Sequence, residues 1–263
     1  MTDERHHADE RDAATSTEVR PGLDFPTGWA RSSPARFVRA VLQDLVIVPL
    51  SRLLAPHRRR GLSALHRLDG PFIVASNHQS HADTSIIIAA LPRAVRRRLV
   101  VAAASDVFFS SRVRATFAAL VYNAIPIERH RIERRSAALA RELLADGWGL
   151  LIYPEGHRSE DGRLLEFKGG AAYLADRTNA AIVPCYLENT RFVMPRLFAK
   201  ASDGSRPQHG RLRTPVTVTF GPAILPLEGE TTRRLGKRIE AAVAHLGRDV
   251  AGDPLADAVT STD

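Results

Sequence analysis

From Leu62 onward, short apolar runs alternate with stretches whose apolar positions recur at helical spacing. The runs are "PFIVAS" (71–76), "RLVVAAA" (98–104), "AIPI" (124–127), "GLLIY" (149–153), "AIVPCYL" (181–187) and "PVTVTFG" (215–221). They read as strands. Between them, helical patterns cover 83–91, about 107–121, 133–146, 169–177 and 231–246. The alternation predicts an α/β fold: a single domain with a central, largely buried sheet flanked by helices. No internal repeat is visible, and the polar stretch 200–213 reads as a surface loop.

Ahead of this domain the pattern changes. Residues 1–35 are poor in aromatic and branched side chains and are expected to be a disordered leader. In residues 36–60, Phe37, Val41, Leu45 and Val48 fall at helical spacing, with Arg36, Arg39, Arg52 and Arg58–Arg60 around and after them. This predicts an amphipathic helix, kinked or divided at Pro49. Its longest uncharged stretch, Leu45–Ser51, is far too short to cross a bilayer, which takes ~20 apolar residues. Two readings stay open here: a helix packed on the domain, or one lying among lipid headgroups. The domain itself is expected over 61–247, followed by a flexible tail at 248–263.

Charge sharpens the picture. The chain of 263 residues has a net charge of +8, yet residues 1–20 and 248–263 each carry −3, so the body between them holds +14. All but three of its cations are arginine, whose planar fork of donors suits phosphate. The body should therefore meet an anionic partner: nucleic acid, a phospholipid surface or a phosphorylated substrate. Nucleic acid fits poorly, because aromatics are 6% of the chain and no aromatic-basic interleaving or recognition motif occurs. The lone cysteine, Cys185, sits in an apolar strand and reads as a buried structural thiol in a reducing compartment. The polar, acidic first residues show no signal peptide, which points to the cytoplasm.

Candidate chemistry begins at "ASNHQSHADTS" (75–85), directly after a strand. A strand-to-helix junction exposes side chains at the sheet edge, where α/β folds place their sites. Asp83, at the start of the next helix, can turn back onto the imidazole of His78. A carboxylate on one ring nitrogen fixes the tautomer, and the other nitrogen can take a proton from a hydroxyl. Two other readings use the same residues. Asp83 could cap its helix while His78 bonds a carbonyl, or His78, His81 and Asp83 could ligate a metal.

A second constellation is "LLIYPEGHRSEDGRLLEFKGG" (150–170). Here Gly156 allows close approach of backbone to a ligand, and Arg158 can fork onto a phosphate. Lys168 with Gly169 and Gly170 opens a helix whose first amides favour an anion. In "IPIERHRIERR", Arg129 stands just past a short strand, where it can reach a cleft.

Taken in order, these blocks resemble the glycerolipid acyltransferase family that contains the 1-acylglycerol-3-phosphate acyltransferases. The N-H-x-x-x-x-D block is similar to Asn77, His78 and Asp83. The block ending in arginine is similar to "AIPIER", with Arg129, and the F-P-E-G-T-R-S block to "YPEGHRS", with Glu155, Gly156 and Arg158. The later F-K-x-G and V-P blocks look like "FKGG" and "IVPCY". The resemblance covers roughly residues 62–225. It departs at Tyr153 for Phe, at His157 for Thr, and in "AAASDVFF", which lacks a lysine and glycine; the last two departures bear on the acceptor headgroup.

The resemblance implies an O-acyltransferase. His78 would deprotonate a glycerol hydroxyl that attacks an acyl thioester of coenzyme A or acyl carrier protein, and Asp83 would orient His78. Arg129, Arg158 and Lys168 would hold the acceptor phosphate beside Gly156, with Glu155 ordering the turn or a glycerol hydroxyl. No metal or other cofactor is implied. The expected acceptor is a lysophospholipid, 1-acyl-sn-glycerol 3-phosphate first, giving phosphatidic acid. Glycerol 3-phosphate or another lysolipid as acceptor, or a non-catalytic lipid-binding protein, are the alternatives. The expected place of work is the cytoplasmic face of the cell membrane, with peripheral attachment.

Overall fold

The computed structural model describes residues 22–66, 68–128, 134–159, 161–193 and 213–251, and the structural statements below concern these residues. Seven strands are present: β1 (His57–Arg60), β2 (Phe72–Ser76), β3 (Leu99–Ala104), β4 (Ala124–Ile127), β5 (Gly149–Ile152), β6 (Ala181–Glu188) and β7 (Val216–Phe220). The helices are α1 (Ser33–Leu42), α2 (Val48–Leu54), α3 (Ser63–His66), α4 (Asp83–Ala90), α5 (Arg93–Arg97), α6 (Ser105–Phe108), α7 (Arg112–Tyr122), α8 (Arg134–Ala145), α9 (Gly170–Thr178) and α10 (Thr232–Ala251).

The strands form one sheet in the order β1-β7-β6-β2-β5-β3-β4, parallel except where β6 meets β7. Every residue of β2 and β5 is buried, as an apolar run without alternation requires when helices cover both faces. The pleat divides the core in two. Phe72, Val74, Val101 and Leu151 point to one side with Ile86–Ile88 of α4 and Ala115 and Ala118 of α7. Ile73, Ala75, Val100 and Leu150 point to the other, against α8, α9 and α10. Cys185 is fully buried in β6, and burial pushes its thiol up to about 12, as suits a structural residue. β2, β5, β3 and β4 run parallel, so the loops leaving all four strands gather along one edge of the sheet.

The N-terminal segment differs from the sequence expectation in three ways. Order reaches back to Gly22: Thr27 and Ala30 are buried, and Phe25 packs near Phe109 with ring centroids 6.0 Å apart. The helix expected over 36–60 ends at Leu54. Pro56 forces Ala55 out of helical geometry, and the charged run that follows is an edge strand, β1, paired parallel with β7. Four residues without an aliphatic side chain carry no strand signature, and charge on a sheet edge is a common guard against edge-to-edge pairing. Third, the division expected at Pro49 comes before it: a π-helical turn at Gln43–Ile47 separates α1 from α2, and Pro49 sits in the first turn of α2, where its missing backbone donor is tolerated.

This helical segment is both packed and exposed. Gln43 Nε2 donates to the Val121 carbonyl at 2.8 Å, and Asp44 pairs with Arg96 and, at 2.8 Å, with Arg93 of α5. The opposite face leaves Phe37 and Leu45 each 71% exposed, with Val38, Val41, Val46, Leu50 and Leu53 beside them. No helix among the described residues is long and apolar enough to cross a membrane. At the other end, α10 continues to Ala251, past the expected start of the tail. The expected loop at 200–213 lies outside the described residues except for Arg213.

Candidate active site

The strand-to-helix turn 77–82 is held from several sides. Asn77 is buried, and its side-chain amide exchanges two hydrogen bonds with the backbone of Leu187 in β6, at 2.7 and 2.9 Å. His78 Nδ1 donates to Asp83 Oδ2 at 2.8 Å. The same oxygen accepts from the backbone amides of Gln79 (2.7 Å) and Ser80 (2.8 Å). Asp83 opens α4 without a side-chain cap bond to it, so of the sequence readings the one that sets its carboxylate on the His78 imidazole is the one its bonds fit. It is wholly buried, and its other oxygen has no hydrogen-bond partner among the described residues. A buried carboxylate so placed stabilises a positive charge on the imidazole. With Nδ1 engaged, Nε2 is the nitrogen left to serve a substrate.

Beneath this ring lies Tyr153, stacked at 4.0 Å between centroids and 17° from parallel. Its hydroxyl shares a 2.9 Å hydrogen bond with Thr84 on α4. Burial holds this phenol well above its ordinary range, so it stays a neutral hydroxyl. Nothing in the local sequence signals this stack, because the two residues belong to different loops.

Glu155 joins those loops. One carboxylate oxygen accepts from the backbone amide of His78 at 2.7 Å and the other from that of Leu165 at 3.0 Å. The amide of Ser159 returns a 2.8 Å bond to the His78 carbonyl. Glu155 is 1% exposed and does not line the cavity described below, which corrects the expectation that it contacts substrate. Of its two expected roles, ordering the turn is the one its position fits. Burial raises its carboxyl to about 7 despite the two amide donors.

His78 opens onto a cavity of about 640 Å³. Its polar and charged lining includes His78, His81, His157, Arg158, Lys168 and the Gly169–Ala171 start of α9. Gly156 also lines it with φ +76°, where a side chain would be strained, and an added Cβ would come within 2.6 Å of Lys168 Nζ. Its apolar lining includes Val101, Ala103, Val107, Phe108, Phe117 and Ile127. The structure thus brings His78, Gly156, Arg158 and Lys168 to one space. Arg129 lies outside the described residues; its neighbour Glu128 lines the cavity. Among the described residues no three His, Cys, Asp or Glu side chains gather as a metal site would require.

Comparison with known proteins fits this geometry. The family model described as Acyltransferase matches residues 57–188, half of the chain. The chain belongs to the acyltransferase family. Within curated members, this acyltransferase is 31% identical over 137 residues to the chloroplastic 1-acyl-sn-glycerol-3-phosphate acyltransferase LPAT1 of Arabidopsis thaliana, covering 51% of this chain and 36% of that one. It is 31% identical over 125 residues to human 1-acyl-sn-glycerol-3-phosphate acyltransferase beta, covering 43% of this chain and 40% of that protein. The match thus spans well under half the length of these relatives. The crystal structure of the 1-acyl-sn-glycerophosphate acyltransferase PlsC from Thermotoga maritima superposes with a TM-score of 0.61 over 82% of each chain, at 20% identity, and so shares the fold.

Proposed function

We propose that the protein transfers a fatty acyl group from an acyl thioester, of coenzyme A or acyl carrier protein, to the free hydroxyl of a lysophospholipid. The acceptor that fits best is 1-acyl-sn-glycerol 3-phosphate, with phosphatidic acid as product. The observation that carries this reading is the His78–Asp83 pair on a cavity lined by both cationic and apolar side chains. The names of the aligned relatives support the choice of acceptor.

In this reading His78 Nε2 takes the hydroxyl proton as the oxygen attacks the thioester carbonyl. Asp83 stabilises the imidazolium that forms, and Tyr153 and the Glu155 clamp keep the ring and its loop in place. The C–S bond then breaks and the leaving thiolate recovers the proton from His78. Arg158, Lys168 and Arg129 hold the acceptor phosphate, while the apolar side chains of the lining receive hydrocarbon chain. No step is assigned to a metal or cofactor. The exposed apolar face of α1 and α2 supports peripheral attachment to a phospholipid surface.

His157, on the cavity wall beside Arg158, favours a second reading in which the acceptor carries another headgroup. Purified protein incubated with acyl-CoA or acyl carrier protein thioester and a panel of lysolipids, with glycerol 3-phosphate included, tests both. Mass spectrometry should show phosphatidic acid as the main product. Turnover on a different acceptor alone would establish the second reading, and no acyl transfer to any of them would end both.

A further inference from the structure

A second cavity, of about 260 Å³, shares no lining residue with the one that holds His78. It lies between α1 and the end of α5, and its walls include Arg36, Phe37, Arg39, Gln43 and Arg97. Arg39 and Gln43 are the buried members, each 4% exposed. The Gln43 amide is committed to the Val121 carbonyl, and Arg39 Nη1 donates to the Ala30 carbonyl at 2.8 Å.

What marks this groove is a charge without a counter-charge. No carboxylate of the described residues pairs with Arg39, whose charged neighbours are Arg36 and Arg31; burial first, then these two cations, lower it to about 10. Arg36 lies over the Trp148 ring at 5.6 Å. Arg97 reaches Asp44 only at 3.8 Å, and Asp44 is already shared by Arg93 and Arg96. A guanidinium this buried, with no carboxylate beside it among the described residues, is costly unless an anion completes it. Three guanidinium groups around one groove match the several acceptor oxygens of a phosphate. Phe37, on the rim, belongs to the exposed apolar stripe, so a phosphate in the groove would have hydrocarbon beside it.

We propose that this groove is a phosphate site separate from the catalytic cavity, and that it takes the headgroup phosphate of a glycerophospholipid in the membrane surface. The lipid source rests on the reading that α1 lies against a bilayer; the phosphate site does not. Arginine modification of the full chain by phenylglyoxal, mapped by peptide mass spectrometry, tests the two separately. Inorganic phosphate should slow modification of Arg36 and Arg97 relative to chloride at equal ionic strength, and should leave Arg58 and Arg59 unaffected. Phosphatidylcholine vesicles containing phosphatidic acid should protect the same pair more than vesicles given equal charge by oleic acid. Equal protection by both vesicles, with none by inorganic phosphate, would overturn the site. Protection by inorganic phosphate without flotation of the protein on vesicles would uphold the site and overturn its lipid source together with the membrane reading. In flotation, R36Q/R97Q should weaken binding to phosphatidic acid vesicles on the order of tenfold. R58Q/R59Q removes the same charge elsewhere and should cost clearly less; an equal loss would mean diffuse attraction and no site.

Discussion

The imidazole of His78 lies flat on the ring of Tyr153, and the tyrosine hydroxyl is tied to Thr84, one residue beyond the Asp83 that holds the imidazole from its edge. Ring and carboxylate thus fix His78 in two directions. Y153F keeps the stack and loses only the tether, so kcat should change little. Y153L removes the stack, and an aromatic contact of ~0.5–1.5 kcal/mol corresponds to roughly a two- to tenfold fall in kcat. Acceptor KM should hold in both, as determined by steady-state kinetics. A fall in Y153F equal to that in Y153L would shift the role from ring to hydroxyl.

Removing the base should be far more severe. H78A is expected to lose ~10²–10⁴-fold in kcat while still folding, and D83N most of the activity. D83N also weakens the bonds from the Gln79 and Ser80 amides, so its thermal melt should drop. Near-normal turnover by H78A would sink the mechanism.

Glu155 makes stability depend on pH in a stated direction. Its carboxyl is raised from 4.5 to about 7 in the folded protein, so between these values the folded state keeps a proton that the unfolded chain releases. This contribution is fully present below pH 4.5 and fades as pH rises through about 7, with a size of about 3 kcal/mol. Chemical denaturation at pH 5 and pH 8 should show wild type losing more stability over that interval than E155Q. Identical slopes would place the group's titration elsewhere.

Arg158 lines the cavity that His78 opens onto. Loss of one charge-assisted hydrogen bond costs ~1.5–3 kcal/mol, so R158A should raise acceptor KM by at least about tenfold. The KM for the acyl donor should move less. Similar shifts in both constants would mean that Arg158 acts on the fold of the loop and not on the phosphate.

The exposed stripe on α1 and α2 predicts that F37S/L45S weakens flotation on phospholipid vesicles without lowering the melting temperature, since both side chains are 71% exposed. Each apolar side chain fully buried in lipid is worth about 1.5–3 kcal/mol, so the double variant should bind at least tenfold more weakly. Point substitutions are needed here, because deleting residues through 60 would also strip β1 from its pairing with β7. Unchanged flotation would move the lipid contact to another surface.

The sequence by itself determined the interior of the fold and the chemical residues. Six apolar runs became β2 to β7 because strands buried on both faces must be continuously apolar, and that requirement is local. His78, Asp83, Gly156, Arg158 and Lys168 could be picked out as candidates because their spacing against strand ends constrains where each side chain can reach. β1 was not legible: its arginines form a strand only because β7 offers a pairing edge, and no local pattern encodes a partner more than 150 residues away. The division of labour around His78 was likewise decided by tertiary structure. Asn77 on Leu187, Glu155 on the His78 amide and Tyr153 under the imidazole join residues 75 to 110 positions apart. So too for the N-terminal helices, where periodicity shows that one face is apolar but not which part is covered. Packing against α4, α5 and α7 consumed one side of α1 and α2, and what was left over is the stripe that faces outward.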